Sequence, residues 1–146
     1  MKSKCFILSG VKGCGKSSYA QTFKNQLLLN KESVEIISLE KIQAQFTGDF
    51  SKIQNLFFDQ IKEASFWSKN VIVDFSCITN EERIFYAQQL TGYFKGGMHL
   101  VLFNIPLKTC KTRSSDIEKT KSEWKKFESV DNSVKKLYKT IKRVKE

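Results

Sequence analysis

The sequence is poor in residues that interrupt or loosen a chain. Among its 146 residues there is one proline, Pro106, one histidine, His99, and only seven glycines. This composition excludes a collagen-like chain, and an apolar content of 40% with twelve phenylalanines excludes an intrinsically disordered one. A chain of this length is typical of one domain with a single hydrophobic core.

Long hydrophobic runs are also missing. No stretch reaches the roughly 20 apolar residues that a membrane span requires. The first apolar run, residues 5–8, is followed too soon by Ser9 and Gly10 to be the apolar region of a signal peptide. We therefore expect a soluble, cytoplasmic protein without a membrane partner.

Cysteines are few and are not arranged in pairs. The chain has four of them, Cys5, Cys14, Cys77 and Cys110, with no C-x-x-C spacing and no nearby histidine. This pattern argues against both a zinc site and a disulfide framework. We expect reduced thiols.

Negative charge is scarce relative to positive charge. Twenty-five basic and 15 acidic residues give a net charge of +10, and residues 101–146 carry 13 basic against six acidic groups. Such a field attracts polyanions, above all nucleic acid. However, all but three of the basic residues are lysines, and a general compositional bias toward lysine explains the charge equally well. Both interpretations stay open at this point.

Apolar runs alternate with helix-like segments along the chain. Four runs have the continuous hydrophobicity of buried strands: 5–8, 34–39, 70–75 and 100–105. Helical spacing of apolar residues predicts helices over 17–29, 52–66 and 124–144, and Thr79 to Glu82 has the pattern of a capping box that opens another. The alternation predicts an α/β fold: a parallel sheet with helices on both faces and ligands at the carboxyl ends of the strands.

A glycine-rich motif follows the first predicted strand. Residues 10–17 read GVKGCGKS, which fits G-x-x-x-x-G-K-[ST] at the start of a helix. Its glycines let successive N–H groups turn inward and form an anion nest at the helix N-terminus. The residues that we predict to bind nucleotide are Gly10, Val11, Lys12, Gly13, Cys14, Gly15, Lys16, Ser17 and Ser18.

Several of these residues have distinct predicted roles. Lys16 would neutralise the β and γ phosphates, Ser17 would ligate Mg²⁺, and Ser18 could reach the α phosphate. Cys14 lies at a helix N-terminus, where thiolate character is favoured. Alternatively, Cys14 is only a small residue that fits the loop.

Three further charged residues lie where phosphoryl transfer needs them. Asp74 ends an apolar strand and is predicted to support Mg²⁺ with Ser17; the alternative is a turn or cap residue. Glu40 ends the second predicted strand and could take the proton of an acceptor hydroxyl, or be a surface glutamate. Arg113, in a lysine-rich segment, could neutralise the transferred phosphoryl group or belong to a solvated charge run.

Taken together, these residues make the chain resemble the P-loop kinases, and among them the 5′-kinase domain of phage-type polynucleotide kinases. The resemblance involves residues 10–17, 37–40, 71–74 and 104–113. It implies one P-loop kinase domain over 1–146 with the three-layer P-loop NTPase fold, a four-stranded parallel sheet in the order 2-3-1-4, and a lid at about 108–124. It also implies that Glu40 is the base for a 5′-hydroxyl and that Asp74 supports the site near Arg113.

The chain differs from that family at two positions. Glutamate replaces the usual aspartate at Glu40, and Gln43 lies where the family has an arginine that grips the substrate's phosphate. The acceptor therefore stays open. The first hypothesis is an ATP- and Mg²⁺-dependent kinase acting on a hydroxyl of nucleic acid, either a 5′-OH end or a hydroxymethylated base. The alternatives are a kinase for a sugar, nucleoside or antibiotic, and a regulatory protein that binds nucleotide without transfer.

ATP is the expected nucleotide, because no strand end carries the Asn-Lys-x-Asp motif by which GTPases read guanine. The sequence makes no prediction of oligomeric state.

Overall fold

The computed structural model describes residues 2–146, which form an α/β fold as predicted. Its sheet is wholly parallel and has five strands in the order β2-β3-β1-β4-β5, rather than the four expected. The first four strands in the chain reproduce the expected order 2-3-1-4. The strands are β1 (Cys5–Ser9), β2 (Val34–Ser38), β3 (Asn70–Asp74), β4 (Met98–Asn104) and β5 (Thr140–Lys145).

Three of the helices, α1, α3 and α4, begin within two residues of the predicted positions. Thr79 accepts the N–H of Glu82, and the Glu82 carboxylate accepts the Thr79 N–H, so the predicted capping box is confirmed. Within residues 2–146, no helix combines the length and apolar character needed to cross a bilayer. The helices are α1 (Lys16–Leu29), α2 (Leu39–Gln45), α3 (Phe50–Phe66), α4 (Asn80–Leu90), α5 (Leu107–Arg113), α6 (Ile117–Lys126) and α7 (Asn132–Leu137), with a 3-10 turn at Thr91–Tyr93.

The sheet is buried on both faces, which explains why its strands read as continuous apolar runs. Alternate side chains enter opposite layers: Ile7 and Val73 pack toward α3 and α4, whereas Leu8 and Ile72 pack toward α1. This sandwich holds the carboxyl ends of β1 and β3 in place from both sides.

The helix predicted over 124–144 is wrong. That segment contains the end of α6, then α7, and finally β5, which pairs with β4. Ile141 and Val144 are three residues apart, a spacing that suits a helix face. In β5 the same odd spacing points them to opposite faces of the sheet, where each joins a different layer of the core.

Candidate active site

The loop between β1 and α1 has the backbone shape of an anion nest. Gly13 and Gly15 have φ angles of +87° and +96°, in the left-handed region that favours glycine. A Cβ at Gly13 would collide with the carbonyl oxygen of Cys110, and one at Gly10 would lie 2.6 Å from the Cys14 sulfur. The three glycines therefore meet a geometric requirement of the loop.

Lys16 is folded back over this loop. The residue is 9% exposed, and its ammonium donates to the carbonyl oxygens of Gly10 at 2.7 Å and Val11 at 3.2 Å. These two contacts hold a positive charge at the positive end of α1. The arrangement favours binding of an anion rather than a cation.

Ser17 and Asp74 are in direct contact. The Ser17 hydroxyl donates to Asp74 Oδ2 at 2.8 Å. Asp74 reaches Ser17 because β1 and β3 pair with Leu8 opposite Asp74. A hydroxyl beside a carboxylate offers the hard oxygen ligands that Mg²⁺ prefers, and Mg²⁺ sites commonly use one carboxylate together with substrate phosphates. These two residues therefore fit the predicted metal.

Most of the predicted residues line one cavity of about 480 Å³, and the three that do not are Gly10, Val11 and Cys14. The loop and β3 form one side, the start of α2 another, and α5 and α6 cover it. Lys16, Glu40, Asp74 and Arg113 all line this cavity. The segment 108–124 that was predicted as a lid forms most of α5 and α6.

Glu40 lies in a different element from the one expected. β2 ends at Ser38, which caps α2, and Glu40 belongs to the first turn of that helix. Its side chain is 82% exposed, and its carboxylate lies 3.8 Å from the Lys12 ammonium. The polar Ser38 accepts the Lys41 N–H and so starts a helix where the apolar pattern predicted one more strand residue. The role of Glu40 as a base stays a prediction.

Arg113 is the last residue of α5 and lies over the loop. A Cβ at Gly15 would be 3.6 Å from its Nη1 atom. A guanidinium in this position can reach an anion held by the nest.

Of the two interpretations of Cys14, the structure favours the small residue that fits. Its side chain is buried, and burial raises the pKa of the Cys14 thiol to about 11, although the nearby Lys16 ammonium opposes that rise. At neutral pH the thiol therefore stays protonated and is a poor nucleophile.

Two residues of α6 that the sequence did not single out hold the loop. Glu123 of α6 accepts the backbone N–H of Lys12 at 2.7 Å, and the Thr120 hydroxyl donates to the Lys12 carbonyl at 3.0 Å. Both contacts join residues more than 100 positions apart in the chain, and no short motif indicates such a pairing.

Arg83 is a third residue that sequence reasoning missed. It is fully buried; its Nε donates to the Ser9 hydroxyl at 3.1 Å, and its Nη1 donates to the Glu128 carbonyl at 2.8 Å. Burial lowers the pKa of the Arg83 guanidinium. Arg83 therefore connects the residue before the loop with the segment that follows α6. Arginine is rare in this lysine-rich chain, and that rarity was the one signal in the sequence that could have pointed to Arg83.

No protein-family model matches this sequence, and no curated protein sequence does either. Solved structures do resemble it. The APS kinase CysC of Mycobacterium tuberculosis, in complex with AMPPNP and APS, is 15% identical over 99% of this chain and 88% of its own, with a TM-score of 0.69. A gluconokinase from Sinorhizobium meliloti 1021 is 13% identical over 99% of this chain and 82% of its own, with a TM-score of 0.63.

A chain of the Pnkp1/Rnl/Hen1 complex is also similar, at 18% identity and a TM-score of 0.66. The match covers 77% of this chain and only 39% of that one. At these identities the likeness concerns the fold alone, and this fold is one that the APS kinase and the gluconokinase also have.

We predict that Gly13→Ala damages the loop. The new side chain would be strained at a positive φ and would collide with Cys110, so we expect the free energy of unfolding to fall by about 1–3 kcal/mol and ATP affinity to fall with it. Urea denaturation and calorimetric titration with ATP measure the two effects. Gly92→Ala is the matched control, since nothing lies within 4 Å of a Cβ at that position. Equal behaviour of the two variants would refute the close-contact role of Gly13.

We also predict that the native thiols are slow to react. All four cysteines are buried, and the pKa of Cys14 is raised to about 11, so thiolate is scarce at pH 7.5. Titration with a thiol-specific chromogenic disulfide should detect four thiols only after denaturation. A thiol whose pKa is raised by folding stabilises the folded state fully at pH values below its pKa in the unfolded chain, which is about 9 for Cys14. This contribution to stability is lost as the pH rises from about 9 toward about 11. One fast-reacting thiol in the native chain that ATP protects would contradict this description of Cys14.

Proposed function

We propose that this chain is an ATP- and Mg²⁺-dependent kinase that transfers the γ-phosphate to a hydroxyl group of nucleic acid. The observation that carries the proposal is the Ser17–Asp74 contact beside the glycine-rich nest, in a cavity that Lys16, Arg113 and Glu40 also line. Phosphoryl transfer requires cations beside the phosphates, ligands for Mg²⁺ and a base for the acceptor hydroxyl, and this cavity has a residue suited to each task.

The nucleotide end of the cavity would bind the triphosphate of ATP. Inward N–H groups of the loop would donate to phosphate oxygens, and the Lys16 ammonium would exchange its carbonyl partners for phosphate. Ser17 and Asp74 would hold Mg²⁺, which supplies charge neutralisation at the phosphates. Arg113 would stabilise negative charge on the transferred group.

The acceptor end lies toward α2. Glu40, at the start of that helix, would accept the proton of the acceptor hydroxyl as its oxygen attacks the γ-phosphorus. A new phosphorus–oxygen bond forms on the acceptor, and the bond between the γ-phosphorus and the bridging oxygen breaks. ADP leaves with that oxygen. The exposure of Glu40 lets an acceptor approach from solvent.

Charge supports nucleic acid as the acceptor class. The chain carries a net charge of +10, and Lys12, Lys119 and Arg113 line the cavity itself. A positive field of this kind speeds the approach of polyanions. The acceptor hydroxyl would be a 5′-OH end or a hydroxymethyl group on a base. The chain is also similar to a chain of the Pnkp1/Rnl/Hen1 complex, an RNA repair complex, which agrees with nucleic acid as the acceptor class.

A second candidate is a kinase for a small molecule. It is favoured by the two similar kinases that match nearly the whole of this chain, the APS kinase and the gluconokinase. The cavity, at about 480 Å³, has the volume of an ordinary small-ligand site.

A transfer assay with γ-labelled ATP and Mg²⁺ tests the proposal. The acceptors are a single-stranded 5′-OH oligonucleotide, duplex DNA with a hydroxymethylated base, and a pool of sugars and nucleosides. We expect label in one of the nucleic acids, and a fall below about 1% of the wild-type rate in Lys16→Ala, because the phosphates lose their ammonium partner. Lys69→Ala removes a surface lysine of the same charge and should keep the wild-type rate.

The outcomes separate the candidates. Label only in sugars or nucleosides would replace the nucleic-acid proposal with the small-molecule kinase. ATP binding without transfer to any acceptor would indicate a regulatory nucleotide-binding protein. Rising ionic strength should slow transfer to nucleic acid and leave transfer to neutral sugars nearly unchanged.

A further inference from the structure

We infer that Lys12 binds a negatively charged group of the acceptor, namely the phosphate next to the hydroxyl that is phosphorylated. The inference rests on the proposed function and adds a specificity-determining residue to the acceptor end of the cavity. It starts from the position of the Lys12 ammonium.

Lys12 belongs to the loop, but its side chain points toward the acceptor end. Its ammonium lies 3.8 Å from the Glu40 carboxylate, and its side chain is 22% exposed. Across residues 2–146, no other Lys or Arg has its nitrogen within 4.0 Å of the Glu40 carboxylate. Gln43, one turn further along α2, lines the same cavity and offers a neutral amide donor.

The other basic groups of the loop region have different surroundings. Lys16 is turned inward onto the carbonyl oxygens of Gly10 and Val11, and Arg113 lies beside Gly15. Both positions are at the nucleotide end. Lys12 is therefore the loop cation that an acceptor meets first when its hydroxyl approaches Glu40.

The backbone of Lys12 is held on both sides by the lid. Glu123 accepts its N–H and Thr120 donates to its carbonyl, so the peptide groups that orient the side chain have fixed partners. A cation whose backbone is fixed in this way loses less conformational freedom on binding an anion.

The present partner of Lys12 is easily exchanged. An ion pair in which one side chain is 82% exposed contributes little to stability, because water competes for both groups. An acceptor with a phosphate near its hydroxyl would be repelled by the Glu40 carboxylate, and the Lys12 ammonium offsets that repulsion. The pair thus suits an acceptor that carries its own negative charge.

The experiment compares two oligonucleotides with a free 5′-hydroxyl. One has an ordinary phosphodiester as its first linkage, and the other has an uncharged methylphosphonate there. Transfer is measured for the wild type, Lys12→Met and Lys41→Met. Lys41 is an exposed lysine on α2 next to Glu40 that does not line the cavity, so it is the matched control.

We expect the wild type and Lys41→Met to show a KM about tenfold lower for the phosphodiester than for the methylphosphonate. Lys12→Met should lose that difference to within about twofold. The ratio of the two KM values is the readout, because Lys12 also belongs to the predicted nucleotide loop and a change in ATP binding would affect both oligonucleotides equally. Equal discrimination by the wild type and Lys12→Met would overturn the inference.

A binding measurement separates failure of this inference from failure of the proposed function. The same oligonucleotides, each carrying a fluorophore at its 3′ end, are titrated with each variant in the presence of a nonhydrolysable ATP analogue and Mg²⁺. Fluorescence anisotropy measures their binding. If the wild type transfers label to neither oligonucleotide, a 5′-OH end is not the acceptor of the proposed function, and the fluorescence anisotropy still decides the role of Lys12. Loss of the phosphodiester preference only in Lys12→Met supports that role. No preference in the wild type, or an unchanged preference in Lys12→Met, overturns it.

Discussion

The pairing register of β1 with β3 is the constraint on which the candidate site depends. It places Leu8 opposite Asp74, so that the chain leaving β1 turns back at the glycines and brings Ser17 to the Asp74 carboxylate. If the pairing shifted by one residue, the Asp74 side chain would turn to the opposite face of the sheet and lose its contact with Ser17. The apolar side chains that alternate between the two core layers hold the register, since such a shift would move the side chains of each layer to the opposite face of the sheet.

A second set of contacts connects α6 to the same loop. Glu123 and Thr120 reach Lys12, and Arg83 reaches both Ser9, at the end of β1, and Glu128, just after α6. Helix α6 is therefore held at the loop, and the segment that follows it is held near its C-terminal end. This arrangement explains how one cavity gathers residues from the first and last thirds of the chain. A charged side chain as deeply buried as Arg83 is costly unless it is hydrogen-bonded; its Nε and Nη1 have partners, whereas its buried Nη2 has none among the described residues.

Features with a local signal could be predicted from the sequence, whereas most contacts between distant parts of the chain could not. The glycine-rich loop, the capping box at Thr79 and the four buried strands have signals within a few residues, and the structure contains them. Placing Asp74 beside the loop needed only the rule that parallel strands end at one edge. β5 was missed because its pairing with β4 is non-local, and because the spacing of Ile141 and Val144 suits a helix as well as a strand.

The remaining difference between the predicted and the observed site concerns the position at which β2 ends and α2 begins. Glu40 was expected at a strand end and lies in the first turn of α2, since the Ser38 hydroxyl starts a helix two residues earlier. It nevertheless lines the cavity, because both positions lie at the carboxyl edge of the sheet. The contact of Glu123 with Lys12 had no local signal, and only the folded chain brings these residues together.

Calorimetric titration with a nonhydrolysable ATP analogue, with and without Mg²⁺, tests most directly whether Ser17 and Asp74 form a metal–nucleotide site. For the wild type, the proposed site predicts tighter binding in the presence of Mg²⁺. Asp74→Asn should bind the analogue with the same affinity in either condition, because the carboxylate that holds the metal is gone. An Asp74→Asn variant with the full Mg²⁺ effect, or a wild type that binds no analogue at all, would contradict the proposed site.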